Sequence, residues 1–304
     1  MSPHPKLFVT GATGHLGAQV IDILLETVSP DAVIAGVREA ANDGEAAQAL
    51  RAKGIETRLA DYGRPDQLTS ALQGVGRLLL ISSSENGQRK QQHRNMIDAA
   101  KSAGVDLIAY TSLLRADASP LVLAEEHRDT ETALAESGTP FVLLRNGWYN
   151  EVFTWRLPLA LKTGVLMGAT AGGRIASAAR ADYARAAATV LLGDDHAGKT
   201  YELAGDEAFS LSELADIVTA ARGSPMIYQD MDPADYQAAV IAAGLPAFVA
   251  HILADTDAGI AKGALYDDGR TLSRLIGRPT TPIETTITDF VRRHGDEARE
   301  AAQT

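Results

Sequence analysis

VTGATGHLG, Val9 to Gly17, decides the fold. Gly11, Gly14 and Gly17 recur at intervals of three, directly after the apolar run KLFVT and at the start of the stretch LGAQVIDILLETV. A strand that turns through glycines into a helix is the setting of a dinucleotide-binding unit. In such a turn Gly11 takes backbone angles closed to other residues, Gly14 lets the main chain approach a diphosphate, and Gly17 lets the helix lie against the strand. The diphosphate then meets the free N–H groups of the helix start. The spacing is G-x-x-G-x-x-G, not the stricter G-x-G-x-x-G. A glycine-rich turn without a ligand is the plainer alternative, and the pattern around it argues against that.

Outward from the turn, KLFVT, AVIAGV, ETRLA, RLLLIS, DLIAYT and FVLLR alternate with helical stretches as far as Arg145. Alternation of this kind implies a parallel sheet covered by helices on both faces, and the consecutive apolar positions in several runs fit strands buried on both sides. Right-handed connections lead to the strand order 3-2-1-4-5-6. The fold predicted is therefore α/β, a Rossmann-type doubly wound parallel sheet over residues 1–150. Residues 151–304 are expected to form a smaller C-terminal α/β lobe for substrate. There VLMGA, RIASA and KTYELAG read as strands, and DYARAAATVLL, SLSELADIVTAA and DPADYQAAVIAA as helices. Some of these segments are expected to return to the main sheet.

Composition narrows the function classes. Of 304 residues 45 % are apolar, enough for a large core, and 28 basic against 39 acidic side chains leave a net charge of −11 that repels nucleic acid. With no cysteine, disulfides, thiolate metal sites and cysteine nucleophiles are excluded. The seven histidines show no i, i+4 pair beside a carboxylate, so no metal is expected. The start MSPHPK lacks the apolar core of a signal peptide, which points to a cytoplasmic protein. The apolar stretch Tyr236–Ala254 is broken by Gly244 and Pro246, and reads as a buried helical hairpin, not a membrane span. Oligomeric state stays open.

The second strand, AVIAGV, ends at Arg38, about 20 residues beyond the last glycine, where an acidic residue would take a ribose 2′-hydroxyl and an arginine a 2′-phosphate. Arg38 thus points to NADP(H). Glu39 follows at once and would reverse the preference if the strand ran one residue longer.

TGATGHLG, VRE, LADYG, LLLISSSE, ISSSENGQR, YTSLL and LLRNGWYNE, with ADYARAAA and DDGRTLSRLIGRPTTP further on, together resemble the NmrA-like atypical short-chain dehydrogenases. Within them the chain is similar to the bacterial type 2 NADPH:quinone oxidoreductases, nearly end to end. The resemblance implies that Gly11, Ala12, Thr13, Gly14, His15 and Leu16, with Gly17, wrap the diphosphate, and that Arg38 meets the 2′-phosphate. It places Asp61 and Tyr62 near the adenine, and Ser82, Ser83 and Ser84 near the ribose or nicotinamide. Asn146, Gly147, Trp148 and Tyr149 would stand where the nicotinamide meets a flat acceptor. For the serines local turn bonding is an alternative role, and for Trp148 core packing. Arg180 and Asp182 read equally as an ion pair or as a cofactor contact.

Most short-chain dehydrogenases use a Tyr-x-x-x-Lys pair as proton shuttle, and none of the eight tyrosines here has a lysine four residues on; Tyr266 comes nearest, with Arg270. The helix expected to carry the pair reads LVLAEEHRDTETAL. Its His127 is a weak catalytic candidate that reads more readily as a helix-surface residue, and Ser112 is a second. A carbonyl reduced to an alkoxide needs a positioned acid. A quinone takes the added electrons into its ring, so alignment with the nicotinamide is the main requirement. The expected activity is that of an NAD(P)H:quinone oxidoreductase, passing hydride to a small planar quinone without flavin. A non-catalytic NADP(H)-binding redox sensor acting through a protein partner is the alternative, and reduction of an enone a third reading. There is no Gly-x-Ser-x-Gly elbow, and Gly198-Lys199-Thr200 matches a phosphate-binding loop only by chance.

Overall fold

Six runs become six parallel strands. They are β1 (Leu7–Val9), β2 (Val33–Val37), β3 (Glu56–Leu59), β4 (Arg77–Leu80), β5 (Leu107–Leu113) and β6 (Phe141–Asn146). Of these, β1, β2, β4, β5 and β6 bury their β-branched and leucine side chains, while the edge strand β3 is only partly covered. The computed structural model describes residues 5–85 and 87–300, so the start MSPH and Asn86 of the ISSSENGQR motif lie outside the described residues. Two strands of the later region, β7 (Val165–Gly168) and β8 (Thr200–Leu203), and a third, β9 (Ile227–Asp230), complete the set. The main sheet runs β3-β2-β1-β4-β5-β6-β8, which is the expected order 3-2-1-4-5-6 with one strand added beyond β6. In-register parallel pairing places Val9 beside Ala35 and Leu79, so the end of β1 lies between the ends of β2 and β4.

The chain divides into two compact units. The first comprises Met1–Ala116, Glu125–Asn146 and Ala181–Tyr201. Its sheet buries Phe8, Ile34, Leu78, Leu80, Ile108 and Tyr110 against Leu68, Leu72, Met96, Ile97 and Leu134 of the helices on one face. Full burial of side chains of this size stabilises by about 1.5–3 kcal/mol each, which makes this layer the main source of cohesion in the unit.

The second unit comprises Asp117–Ala124, Gly147–Arg180 and Glu202–Thr304, and pairs β7 with β9 in parallel. RIASA forms no strand there; Ile175 makes a single antiparallel bridge to Phe209, and Ala178 a single parallel bridge to Tyr149. Ser210 and Glu213 close a reciprocal capping box on the helix Leu211–Arg222. The Tyr236–Ala254 stretch is a helical hairpin, with Gly244 at φ +98° between the helices Pro233–Ala242 and Ala247–Ile260. Its burial is one-sided. Tyr236, Val240, Ala250 and Ala254 are covered, but Ile241, Phe248 and Val249 face outward, because two helices packed on one layer cover only their inner stripe. Among the described residues no helix is long and apolar enough to cross a membrane.

The decisive turn comes directly after β1. Gly11 sits at φ +56°, and a Cβ on Gly17 would lie 2.4 Å from the Gly11 carbonyl oxygen and 2.9 Å from its carbon. A methyl group cannot share that space, and the obstacle is backbone, which cannot swing away. Gly17→Ala is therefore expected to destabilise by about 1–3 kcal/mol and lower the melting temperature by roughly 2–10 °C. An unchanged thermal unfolding curve would contradict this packing.

Candidate functional site

The first helix, α1 (His15–Leu24), starts on Gly14 with no capping side chain and no acidic residue in its first turn. Its leading N–H groups are therefore open to an anion. They face a groove of about 330 Å³ at the carboxyl ends of β1, β2 and β4, a volume at the small end of the range for ligand sites. Gly11, Thr13, Gly14, His15, Leu16 and Gly17 line its floor. Ala12 does not, contrary to expectation: it is fully buried, and its N–H donates to the Gly36 carbonyl at 3.2 Å. The turn is thereby tied to β2, while its neighbours face the groove.

One wall belongs to Gly36, Arg38, Ala60, Asp61 and Tyr62. Arg38 lines the groove, whereas Glu39 turns away to lie 3.8 Å from Arg64. Of Arg38 and Glu39, only the arginine lines the groove. Asp61 accepts the Gly63 N–H at 2.8 Å, an Asx turn that sets its direction.

The other wall is the segment after β4, Ile81 to Glu85, together with Gln92. Its backbone N–H groups are held from behind over Ile81 to Ser83. Ile81 N–H donates to Thr10 Oγ1 at 2.8 Å, Ser82 N–H to Thr111 Oγ1 at 2.9 Å, and Ser83 N–H to His93 Nε2 at 2.9 Å. The Ile81 carbonyl accepts from the Tyr62 hydroxyl at 2.8 Å and the Ser83 carbonyl from Arg89 Nε at 2.7 Å. The Ser83 hydroxyl donates to Gln92 Oε1 at 2.5 Å and accepts the Glu85 N–H at 3.1 Å, the second of these a local turn bond. A loop so fully satisfied is a rigid platform.

His93 is fully buried, and accepting from Ser83 at Nε2 requires that its Nδ1–H donate to Thr130 Oγ1, 2.9 Å away. His127, expected on a helix surface, is also buried, with Nδ1 2.8 Å from the Tyr110 hydroxyl. The helix Val122–Ser137 is polar in sequence yet packs that histidine against the strand β5, so the surface reading is corrected by tertiary contact. Burial, reinforced by the nearby Arg89 guanidinium, lowers the pKa of both imidazoles to about 3. Burial likewise raises that of the Tyr110 phenol. Neither histidine is among the groove-lining residues.

Ser112, the other weak catalytic candidate, is buried, and its hydroxyl donates to Glu131 Oε1 at 2.6 Å. Glu131 in turn takes both Nε and Nη2 of Arg145 at 3.0 and 2.7 Å. That hydroxyl is engaged in a buried ion-pair cluster and does not line the groove.

Asn146 ends β6 in the first unit; Gly147, Trp148 and Tyr149 belong to the second. Asn146 is buried with its side-chain carbonyl oxygen unpartnered, an acceptor without a donor among the described residues. In the second unit the Arg180 guanidinium lies 5.1 Å from the centre of the Tyr149 ring, and its backbone N–H donates to the Glu151 carboxylate. Among the described residues no group of acidic and histidine side chains could hold a metal ion. Gly36, Ala60, Ile81, Glu85 and Gln92 line the groove although the sequence alone assigns them no place in it.

Comparison with known proteins fits this geometry. The family described as NAD(P)H-binding matches residues 11–193. Quinone oxidoreductase 2 of Escherichia coli is 55 % identical over 92 % of this chain and 96 % of its own. The crystal structure of an Escherichia coli NADPH-dependent quinone oxidoreductase complexed with NADPH superposes with a TM-score of 0.90, at 54 % identity over 93 % of this chain and 99 % of that one. The triphenylmethane reductase of a Citrobacter species has 34 % identity and a TM-score of 0.88, over 94 % and 99 %.

The buried histidines carry a pH signature. Their folded-state pKa lies below the unfolded value near 6.5, so the unfolded chain takes up protons first and stability falls as pH drops through about 6.5. The unfolding free energy obtained from urea titration is expected to decline below that pH by up to about 1.4 kcal/mol per pH unit for each histidine. Imidazole NMR should show His93 and His127 neutral at pH 5.5; protonation of either at pH 6 without loss of structure would contradict their burial.

Proposed function

The chain belongs to the NAD(P)H-binding family, and from that premise we propose that it is an NADPH-dependent oxidoreductase that reduces a small planar quinone directly, without flavin. The observation that carries the reading is Arg38 on the wall of a glycine-floored groove, in a chain 55 % identical to a quinone oxidoreductase. The groove fits a dinucleotide on its own terms. An uncapped helix start offers N–H groups to a diphosphate, Gly14 and Gly17 leave room for main chain to approach, and Arg38 offers a fork of donors to a 2′-phosphate.

When bound, NADPH supplies the hydride. The chain's own contribution is to bind, orient and keep the partners flat against each other. Gly11, Thr13, Gly14, His15, Leu16 and Gly17 hold the diphosphate with Ala12 anchoring their turn, Arg38 selects the phosphate, Asp61 and Tyr62 flank the adenine, and Ser82 and Ser84 present hydroxyls to the ribose from a loop that the Ser83 hydroxyl braces through Gln92. Asn146, Gly147, Trp148 and Tyr149 are assigned to the nicotinamide end by the family resemblance, and the unpartnered Asn146 carbonyl oxygen supports an amide donor there. Ser112 and His127 are spoken for by Glu131 and Tyr110, which supports a reaction that needs no side-chain acid. A quinone meets that condition because its reduced oxygen is a phenolate, a far weaker base than an alkoxide. We assign the reaction to the cytoplasm, where reduced dinucleotide is supplied.

Arg38→Ala tests cofactor and reaction class together. With 1,4-benzoquinone as acceptor, it is expected to lower kcat/KM for NADPH by about 10- to 100-fold, the worth of a charge-assisted bidentate contact, and to leave NADH nearly unchanged. Equal losses with both cofactors would remove Arg38 from the phosphate. Tight NADPH binding with no turnover against any quinone would favour a redox sensor over an enzyme.

A further inference from the structure

Across the groove from Arg38 stands a carboxylate, an unexpected neighbour for a phosphate site. Glu85 leaves the loop after β4 and Arg38 lies just beyond β2, so their 3.2 Å contact, Oε1 to Nη1, bridges the strands on either side of β1. Both residues line the groove. The carboxylate is tethered: its Oε2 accepts from Gln92 Nε2 at 2.7 Å, and Gln92 is itself held by the Ser83 hydroxyl. Ser83 Oγ also accepts the Glu85 N–H at 3.1 Å. Glu85 cannot readily swing aside.

We propose that Glu85 is an internal competitor for Arg38 and sets how strongly the protein prefers NADPH to NADH. The inference rests on the groove being the NADP(H) site. The Arg38 and Glu85 side chains are 65 % and 42 % exposed and touch at one point, so the pair is weak and exchangeable. A 2′-phosphate matches the guanidinium fork with two oxygens and wins the exchange. Glu85, fixed by Gln92, then stays beside the phosphate as a like charge. The ribose hydroxyl of NADH brings no charge, leaves the Arg38–Glu85 pair intact, and is itself a donor for a carboxylate. Glu85 therefore costs NADPH affinity and spares NADH.

Glu85→Gln removes the charge and keeps an acceptor for Gln92. Binding is read by calorimetry with NADPH, NADH, 2′,5′-ADP and 5′-AMP, so that no turnover is required. NADPH and 2′,5′-ADP are expected to bind about three- to tenfold tighter, with NADH and 5′-AMP changed by less than about twofold. The gain should shrink as salt is raised, because the contact is exposed. A preference for NADPH over NADH that stays the same or falls overturns the proposal. Arg38→Ala, measured alongside, separates the two readings. If it still weakens NADPH selectively while Glu85→Gln leaves the preference unmoved, the competitor is wrong and the cofactor site stands. If Arg38→Ala alters neither cofactor, both fall.

Discussion

The groove exists because a helix start and the turn before it come within one hydrogen atom of each other. At Gly17 there is space for no side chain, since the Gly11 carbonyl lies where a Cβ would be. That approach stands α1 on the carboxyl end of β1 with its N-terminus open. Strand order does the rest: β2 and β4 flank β1, so the residues just past their ends, Arg38 on one side and the serine segment on the other, become the two walls. A larger residue at this one contact would move the floor away from both.

Rigidity on the serine side comes from behind the groove. Thr10, Thr111 and His93 each receive one backbone N–H of the segment Ile81 to Ser83, and they come from three different elements. Because burial lowers the His93 pKa to about 3, its Nε2 stays an acceptor for the Ser83 N–H at neutral pH. The chemistry this suits is one of placement. The titratable groups near β5 are buried and bonded to one another, and what faces the groove is backbone and hydroxyls together with His15, Arg38, Asp61, Tyr62 and the tethered Glu85.

Much of this is legible in the chain. The parallel sheet, its order and the floor of the groove come from local signals: apolar runs of strand length, glycines at fixed spacing and an arginine at the end of the second strand. The rest depends on contacts between distant residues. Nothing in LVLAEEHRDTETAL marks His127 as buried, because its cover comes from Tyr110 on β5. Glu85 and Gln92 have no assigned role in the sequence, and acquire one only when Arg38, nearly fifty positions earlier, is brought opposite. Ala12 reads with its glycine neighbours, yet the reversal of the chain at Gly11 turns it inward. The breakers in Tyr236–Ala254 mark it as a hairpin, but periodicity alone does not say that Phe248 and Val249 are left outside.

The proposed chemistry stands on the claim that alignment of two flat rings, with no flavin between them, is sufficient for the reaction. Its most direct test is a single-turnover oxidation of NADPH by 1,4-benzoquinone, using protein whose spectrum shows no flavin and comparing NADPH with its 4-deuterated form. Oxidation should proceed in that protein and be slower with deuterium at the transferred position. Oxidation that begins only when flavin is added, or does not occur at all, would contradict it.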